Sequence, residues 1–137
     1  MVKFLSQEWN NLSKEYILEK LDPEKDLKNM TTSLLAVIEH VPPNDSTMNF
    51  YLEIQNGNLT DFTVNIGDKY EEKEAVFTVT GNYGTYKSIL KGDMSMAVAL
   101  LRGRLKLKGS KMQALKLIKP LDGVIVSLKE VTDEFEE

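Results

Sequence analysis

The ten residues MNFYLEIQNG, 48–57, read as a strand running into a tight turn. Met48, Phe50, Leu52 and Ile54 alternate with Asn49, Tyr51, Glu53 and Gln55, which gives an extended chain one apolar and one polar face, as in an antiparallel sheet. Asn56-Gly57 is a pair that accepts the positive φ angles of a two-residue hairpin loop. The return strand sets Phe62, Val64 and Ile66 against Thr63 and Asn65. Beyond the charged loop GDKYEEKE (67–74), a third strand offers Ala75, Phe77 and Val79 inward, so the pattern predicts a three-strand meander with one apolar side.

Upstream of this block the period is helical. Leu5, Trp9, Leu12 and Tyr16 recur three or four apart, widened by Ile17, Leu18 and Leu21, and predict a first helix. Asp22-Pro23-Glu24 reads as a capped restart. A second helix is expected toward His40, burying Leu27, Met30, Leu34, Val37 and Ile38 and ending at Pro42-Pro43. Downstream, Tyr83, Tyr86 and Leu90 mark a helix ended by Gly92, and Asp93 is expected to cap the next. That next helix, through Met94, Met96, Ala97, Val98, Ala99, Leu100 and Leu101 to Gly103, has almost no polar face and is expected to be covered on most sides. Arg104, Lys106 and Lys108 then alternate with Leu105 and Leu107 as a strand, and Ser110 caps a last helix with Ala114, Leu115, Leu117, Ile118 and Leu121 on its apolar stripe. The segment VIVSL (124–128) fits either a short strand or an extended cover.

The 137 residues suffice for one domain, and no apolar run approaches the length that spans a bilayer. The first residues lack the uninterrupted apolar region of a secretory signal, so the expected location is the cytoplasm. The chain has no Cys, which excludes disulfides, thiolate metal sites and a cysteine nucleophile. His40 is the single histidine and reads as a structural helix-terminal residue; Glu71, Glu72 and Glu74, beside Lys69 and Lys73, read as a solvated loop. Neither a catalytic set, a metal site nor a cofactor motif is present.

Charge is distributed unevenly. The segment 102–120, RGRLKLKGSKMQALKLIKP, holds seven Lys and Arg and no acidic residue; subtracting that +7 from the net charge of −4 leaves −11 elsewhere. No aromatic residue interleaves the cations, which argues against nucleic acid as the partner. The closing EVTDEFEE reads as a solvated acidic tail.

The run from Ala75 to Leu117 resembles the sterol carrier protein 2 family. The matching elements are a strand at 77–80, a helix ended by glycine at 83–92, a second helix at 93–103, the Gly-x-Leu-Lys-x-x-Gly block GRLKLKG at 103–109, and a helix at 110–118. Asn56-Gly57 carries the likeness back through the meander. Ser110 stands where members commonly have Asp or Asn, and the family's first strand, preceding that at Met48, has no evident counterpart. The resemblance implies an α+β sandwich, with a mostly antiparallel sheet of about five strands covered on one face by helices and enclosing a hydrophobic tunnel. It also implies non-catalytic binding, and transfer, of a fatty acid, fatty acyl-CoA, sterol-like lipid or phospholipid, without cofactor or metal. The expected layout is one domain over 1–137, with helices in 1–41, sheet and covering helices in 46–128, and the tail in 129–137.

Expected lipid-binding wall residues are Phe50, Leu52, Phe62, Phe77, Met94, Met96, Leu100, Leu105, Leu107 and Met112, assigned by strand parity or helix stripe. Arg102, Arg104, Lys106, Lys108 and Lys111 are expected to meet an anionic membrane surface or headgroup near that wall. An alternative is a non-catalytic interaction or dimerisation module, a homodimer included, whose tunnel has closed into core.

Overall fold

A computed structural model describes residues 2–65 and 75–135. The first helix, α1, spans Gln7–Lys20, with the Ser6 hydroxyl accepting from the Trp9 N–H as its N-cap. Its buried face is Trp9, Asn10, Ser13 and Ile17, so the helix is as predicted but turned; Leu12 and Leu18 face solvent. Asn10 explains the rotation, because its side-chain oxygen accepts from the Val64 N–H at 2.6 Å and ties the helix to the sheet.

The expected second helix is a strand. Asp22 does act as a cap, accepting from the Glu24 and Lys25 N–H groups at 2.9 and 2.8 Å, but what it caps is a short turn. Thr32–Val41 then forms β1, and this is the family strand for which the sequence pattern shows no counterpart. Its run Leu34-Leu35-Ala36 is buried on both faces, as befits a central strand, and such a continuous apolar run carries neither period cleanly. The turn at 42–45 leads into β2, Ser46–Gln55, and a two-residue loop into β3, Asn58–Asn65. Asn56 and Gly57 have φ of 50° and 81°, as the hairpin reading requires. The Gly57 N–H donates to the Met30 carbonyl at 2.9 Å, and a Cβ at this position would collide with the Pro23 carbonyl oxygen.

The third strand of the expected meander, β4 (Phe77–Asn82), does not join β3; it pairs in parallel with β1. Sheet order is β3-β2-β1-β4-β5, where β5 is Lys106–Lys108, and every pair except β1–β4 is antiparallel. Leu34, Ala36, Phe50, Leu52, Phe62 and Val79 share the face on which the helices pack. Trp9 seals one end of that core, with its ring 5.7 Å from Phe50 and 5.6 Å from Phe62.

The remaining helices are α2 (Tyr83–Lys91), α3 (Met96–Leu101) and α4 (Lys111–Val131). Gly92 ends α2 at φ 84°, and Ser110 caps α4 by accepting from the Gln113 N–H, both as predicted. Ser95, not Asp93, caps α3. Segment 124–128 belongs to α4, which continues through Pro120 because Val124, Leu128 and Val131 keep a buried stripe. The expected solvated tail is instead a clasp in its first residues. Phe4 N–H donates to the Glu134 carbonyl, Asp133 and Glu134 N–H donate to the Val2 carbonyl, and Phe135 packs against Phe4. The charged-loop reading at 67–74 and the inward role of Ile66 lie outside the described residues, as do the side chains of Leu117, Ile118 and Leu121.

Candidate functional site: an apolar cavity and an adjoining groove

Between the sheet and α2, α3 and α4 lies a partly open cavity of about 30 Å³. Its walls are Leu34, Ala36, Phe50 and Val79 from the sheet, Tyr86, Ile89 and Leu90 from α2, Met96 from α3, Ile125 and Leu128 from α4, and Phe4 and Leu105 from the connecting chain. The one polar group on these side chains is withdrawn: the Tyr86 hydroxyl donates to the Val79 carbonyl at 2.8 Å, and burial pushes its pKa up. Nothing in the lining can hold a headgroup or activate a nucleophile. The lining is apolar, and the space is about an order of magnitude smaller than the ~300–1,000 Å³ of ordinary ligand pockets.

Beside the cavity, an open groove of about 250 Å³ is lined by Leu100, Leu105, Leu107, Gly109 and Lys111. Leu105 belongs to both walls.

The ten expected wall residues therefore separate into groups. Phe50, Met96 and Leu105 line the cavity, and Leu100, Leu105 and Leu107 line the groove. Leu52, Phe62 and Phe77 are buried core away from both, and Met94 is half-buried beside the core. Met112 is a correction: it lies on the surface, 72% exposed. In α3, expected to be covered on most sides, Met96 and Ala99 are buried and Ala97, Val98 and Leu100 half-buried, while Leu101 at its end is 77% exposed.

The sequence pattern hides Leu34 and Ala36, whose strand carries a helical spacing, and Ile125 and Leu128, whose segment fits either a short strand or an extended cover. Tyr86 and Leu90 were on the predicted α2 stripe, which was the available signal.

Arg102, Arg104, Lys106, Lys108 and Lys111 are all exposed. They do not form one rank along the wall. Val79 faces the cavity and pairs with Leu107, so Lys106 and Lys108, opposite Thr80 and Thr78, project from the other face of the sheet. His40 is not helix-terminal; it sits in a bulge of β1 at φ 58°, exposed, with Nδ1 2.8 Å from Asp45 Oδ1. Among the described residues no group of three or more His, Cys, Asp or Glu could hold a metal ion, and no helix is long and apolar enough to cross a membrane.

The sequence profile of the SCP-2 sterol transfer family matches residues 15–122. The chain belongs to this family. Members of the SCP-2 sterol transfer family bind and transfer lipids, typically without catalysis. Among solved structures, a conserved hypothetical protein of Thermus thermophilus, described as possibly a sterol carrier protein, superposes with a TM-score of 0.77 at 20% identity over 95% of this chain and 90% of its own. A crystal structure of sterol carrier protein 2 gives 0.77 at 20% identity, covering 94% and 99%. The palmitated sterol carrier protein 2-like 2 of Aedes aegypti gives 0.57 at 14% identity, covering 96% and 99%. These likenesses establish an SCP-2 fold with a five-strand sheet and helices packed on it. No curated protein sequence matches the chain.

Proposed function

We propose that this protein binds one lipid by its hydrocarbon portion, in the space between the sheet and helices α2–α4, and carries it without chemical change. The observation that carries the reading is the cavity itself, walled by twelve residues that present no free hydrogen-bonding group. Such a lining discriminates by hydrophobicity and shape, so fatty acid, fatty acyl-CoA, sterol-like lipid and phospholipid are all within its chemistry; the palmitated Aedes aegypti relative favours an acyl chain. Filling the cavity requires the core to spread, and Met96 and Leu105, an adaptable thioether and a single branched side chain on the helix-to-strand connection, are the walls able to yield. The chain 1–137 acts as one domain, in the cytoplasm, with no turnover of its own.

The test is titration of delipidated protein with a fluorescent long-chain fatty acid, followed by competition with unlabelled fatty acid, acyl-CoA and sterol. Saturable, competable binding is expected. A second reading, an interaction module with a closed core, is favoured by the small volume of about 30 Å³. Native mass spectrometry separates the two: a retained lipid supports the carrier, and a ligand-free dimer without probe binding supports the module.

A further inference from the structure

Three of the seven large exposed apolar residues among the described ones, Leu101, Met112 and Leu115, lie within or beside the run of cations at 102–119. Leu100 and Lys111 line the same groove, which sets the end of α3 beside the start of α4. The next residues, Leu101 and Met112, are 77% and 72% exposed, and Leu115, one turn on along the face of Met112, is 55% exposed. From Met94 to Leu121 the sequence has no acidic residue and seven basic ones. Of these, Arg102 follows Leu101 directly and Lys111 precedes Met112; neither forms an ion pair among the described residues.

We propose that the α3–α4 tip docks on an anionic lipid bilayer, with Leu101, Met112 and Leu115 inserted among the headgroups and Arg102 and Lys111 against lipid phosphates. Exposed leucine and methionine ringed by cations match that interface in both chemistry and charge, since a basic residue near such a surface is attracted and an apolar one is buried. The −11 carried by the rest of the chain favours an orientation with the basic segment toward negative charge. The groove gives the tip its purpose. Leu100 and Lys111, the neighbours of the docking residues, line it, and it shares Leu105 with the internal cavity, so a chain leaving the bilayer here enters beside that cavity. The inference rests on the carrier reading, but it concerns a different surface from the cavity.

The experiment is co-sedimentation of the intact protein with vesicles of equal parts phosphatidylserine and phosphatidylcholine, and with phosphatidylcholine alone, at low and high salt. Binding is expected to the anionic vesicles and to fall steeply with salt. The pair Arg102→Glu and Lys111→Glu, and separately the pair Leu101→Asp and Met112→Asp, should each lower partitioning by roughly tenfold or more. Leu101, Arg102 and Met112 are exposed and line neither the cavity nor the groove, so vesicle-free titration with a fluorescent fatty acid is expected to be unchanged in Arg102→Glu alone and in the Leu101→Asp, Met112→Asp pair. Lys106→Glu with Lys108→Glu, on the other face of the sheet, should matter less. Equal binding to neutral vesicles, or binding indifferent to both pairs, overturns the proposal. Absence of vesicle binding together with self-association, or with retention of an oligonucleotide, overturns it in favour of another partner. Loss of fatty-acid binding in the wild type alone would sink the carrier reading and leave docking to be judged by the vesicles.

Discussion

Leu105 occupies the space in which a side chain on Gly81 would stand: a Cβ placed there lies 2.5 Å from Leu105 Cδ2 and 3.1 Å from the Arg104 carbonyl oxygen. The backbone of β4 thus forms the floor under the residue that cavity and groove share. Gly81→Ala should lower stability to urea by ~1–3 kcal/mol through overpacking, and Leu105→Ala by ~2–5 kcal/mol. Because the two positions compete for one volume, the double variant should cost less than the sum of the single losses. Strict additivity in denaturation curves would show that the contact carries no energy.

The Trp9 indole N–H donates to the Thr132 hydroxyl at 2.8 Å while the tryptophan has 0% exposure. Thr132→Val keeps the shape and leaves that N–H buried without an acceptor, a loss of ~1–3 kcal/mol. Thr132→Ser, which restores the acceptor, should recover most of it. Tryptophan fluorescence during unfolding reads both.

Val64 lies on the edge strand β3, and its N–H is satisfied by the Asn10 side chain. In Asn10→Ala the Val64 amide should exchange with deuterium at least tenfold faster than in the wild type, while amides of β1, in the middle of the sheet, are protected as before. Equal exchange at Val64 would mean that α1 is held to the sheet by its apolar face alone.

Burial raises the pKa of the Tyr86 hydroxyl in the folded protein above the usual tyrosine value of 10.0. In the unfolded chain the same group ionises near 10, so above that pH the unfolded state loses a proton that the folded state keeps. The stabilising share of Tyr86 is therefore complete below pH ~10 and is lost as pH rises beyond it. Urea midpoints of the wild type should fall between neutral and strongly alkaline pH by more than those of Tyr86→Phe. Parallel pH profiles would refute the assignment.

The sequence declared the parts whose period is unambiguous. MNFYLEIQ alternates because β2 meets the helices on one face only, and Gly92 and Ser110 mark helix ends through local hydrogen bonding that needs no tertiary contact. The central strand was hidden because Leu34, Leu35, Ala36 and Ile38 are buried on both faces, and the spacing of Met30, Leu34, Val37 and Ile38 imitates a helix. Pro120 masked the length of α4, since the usual cost of proline within a helix, ~3 kcal/mol, is outweighed by packing that no local signal reveals. The wall of the cavity suffered twice from this: Leu34 and Ala36 sit on the hidden strand, and Ile125 and Leu128 beyond the proline. Parity and stripe could say which way a side chain points. They could not say that Met112 points into solvent, because exposure depends on what stands opposite.

The two ends of the described chain meet side by side, Lys3 bridged to Glu134, and they run parallel. Pulled apart from its ends, such a pair is loaded along its length, so its backbone hydrogen bonds must slip together instead of parting one by one. Under tension the clasp, from Val2 to Phe135, would break before force reached the five strands, and the first rupture in a stretching trace would report the strength of the terminal seam.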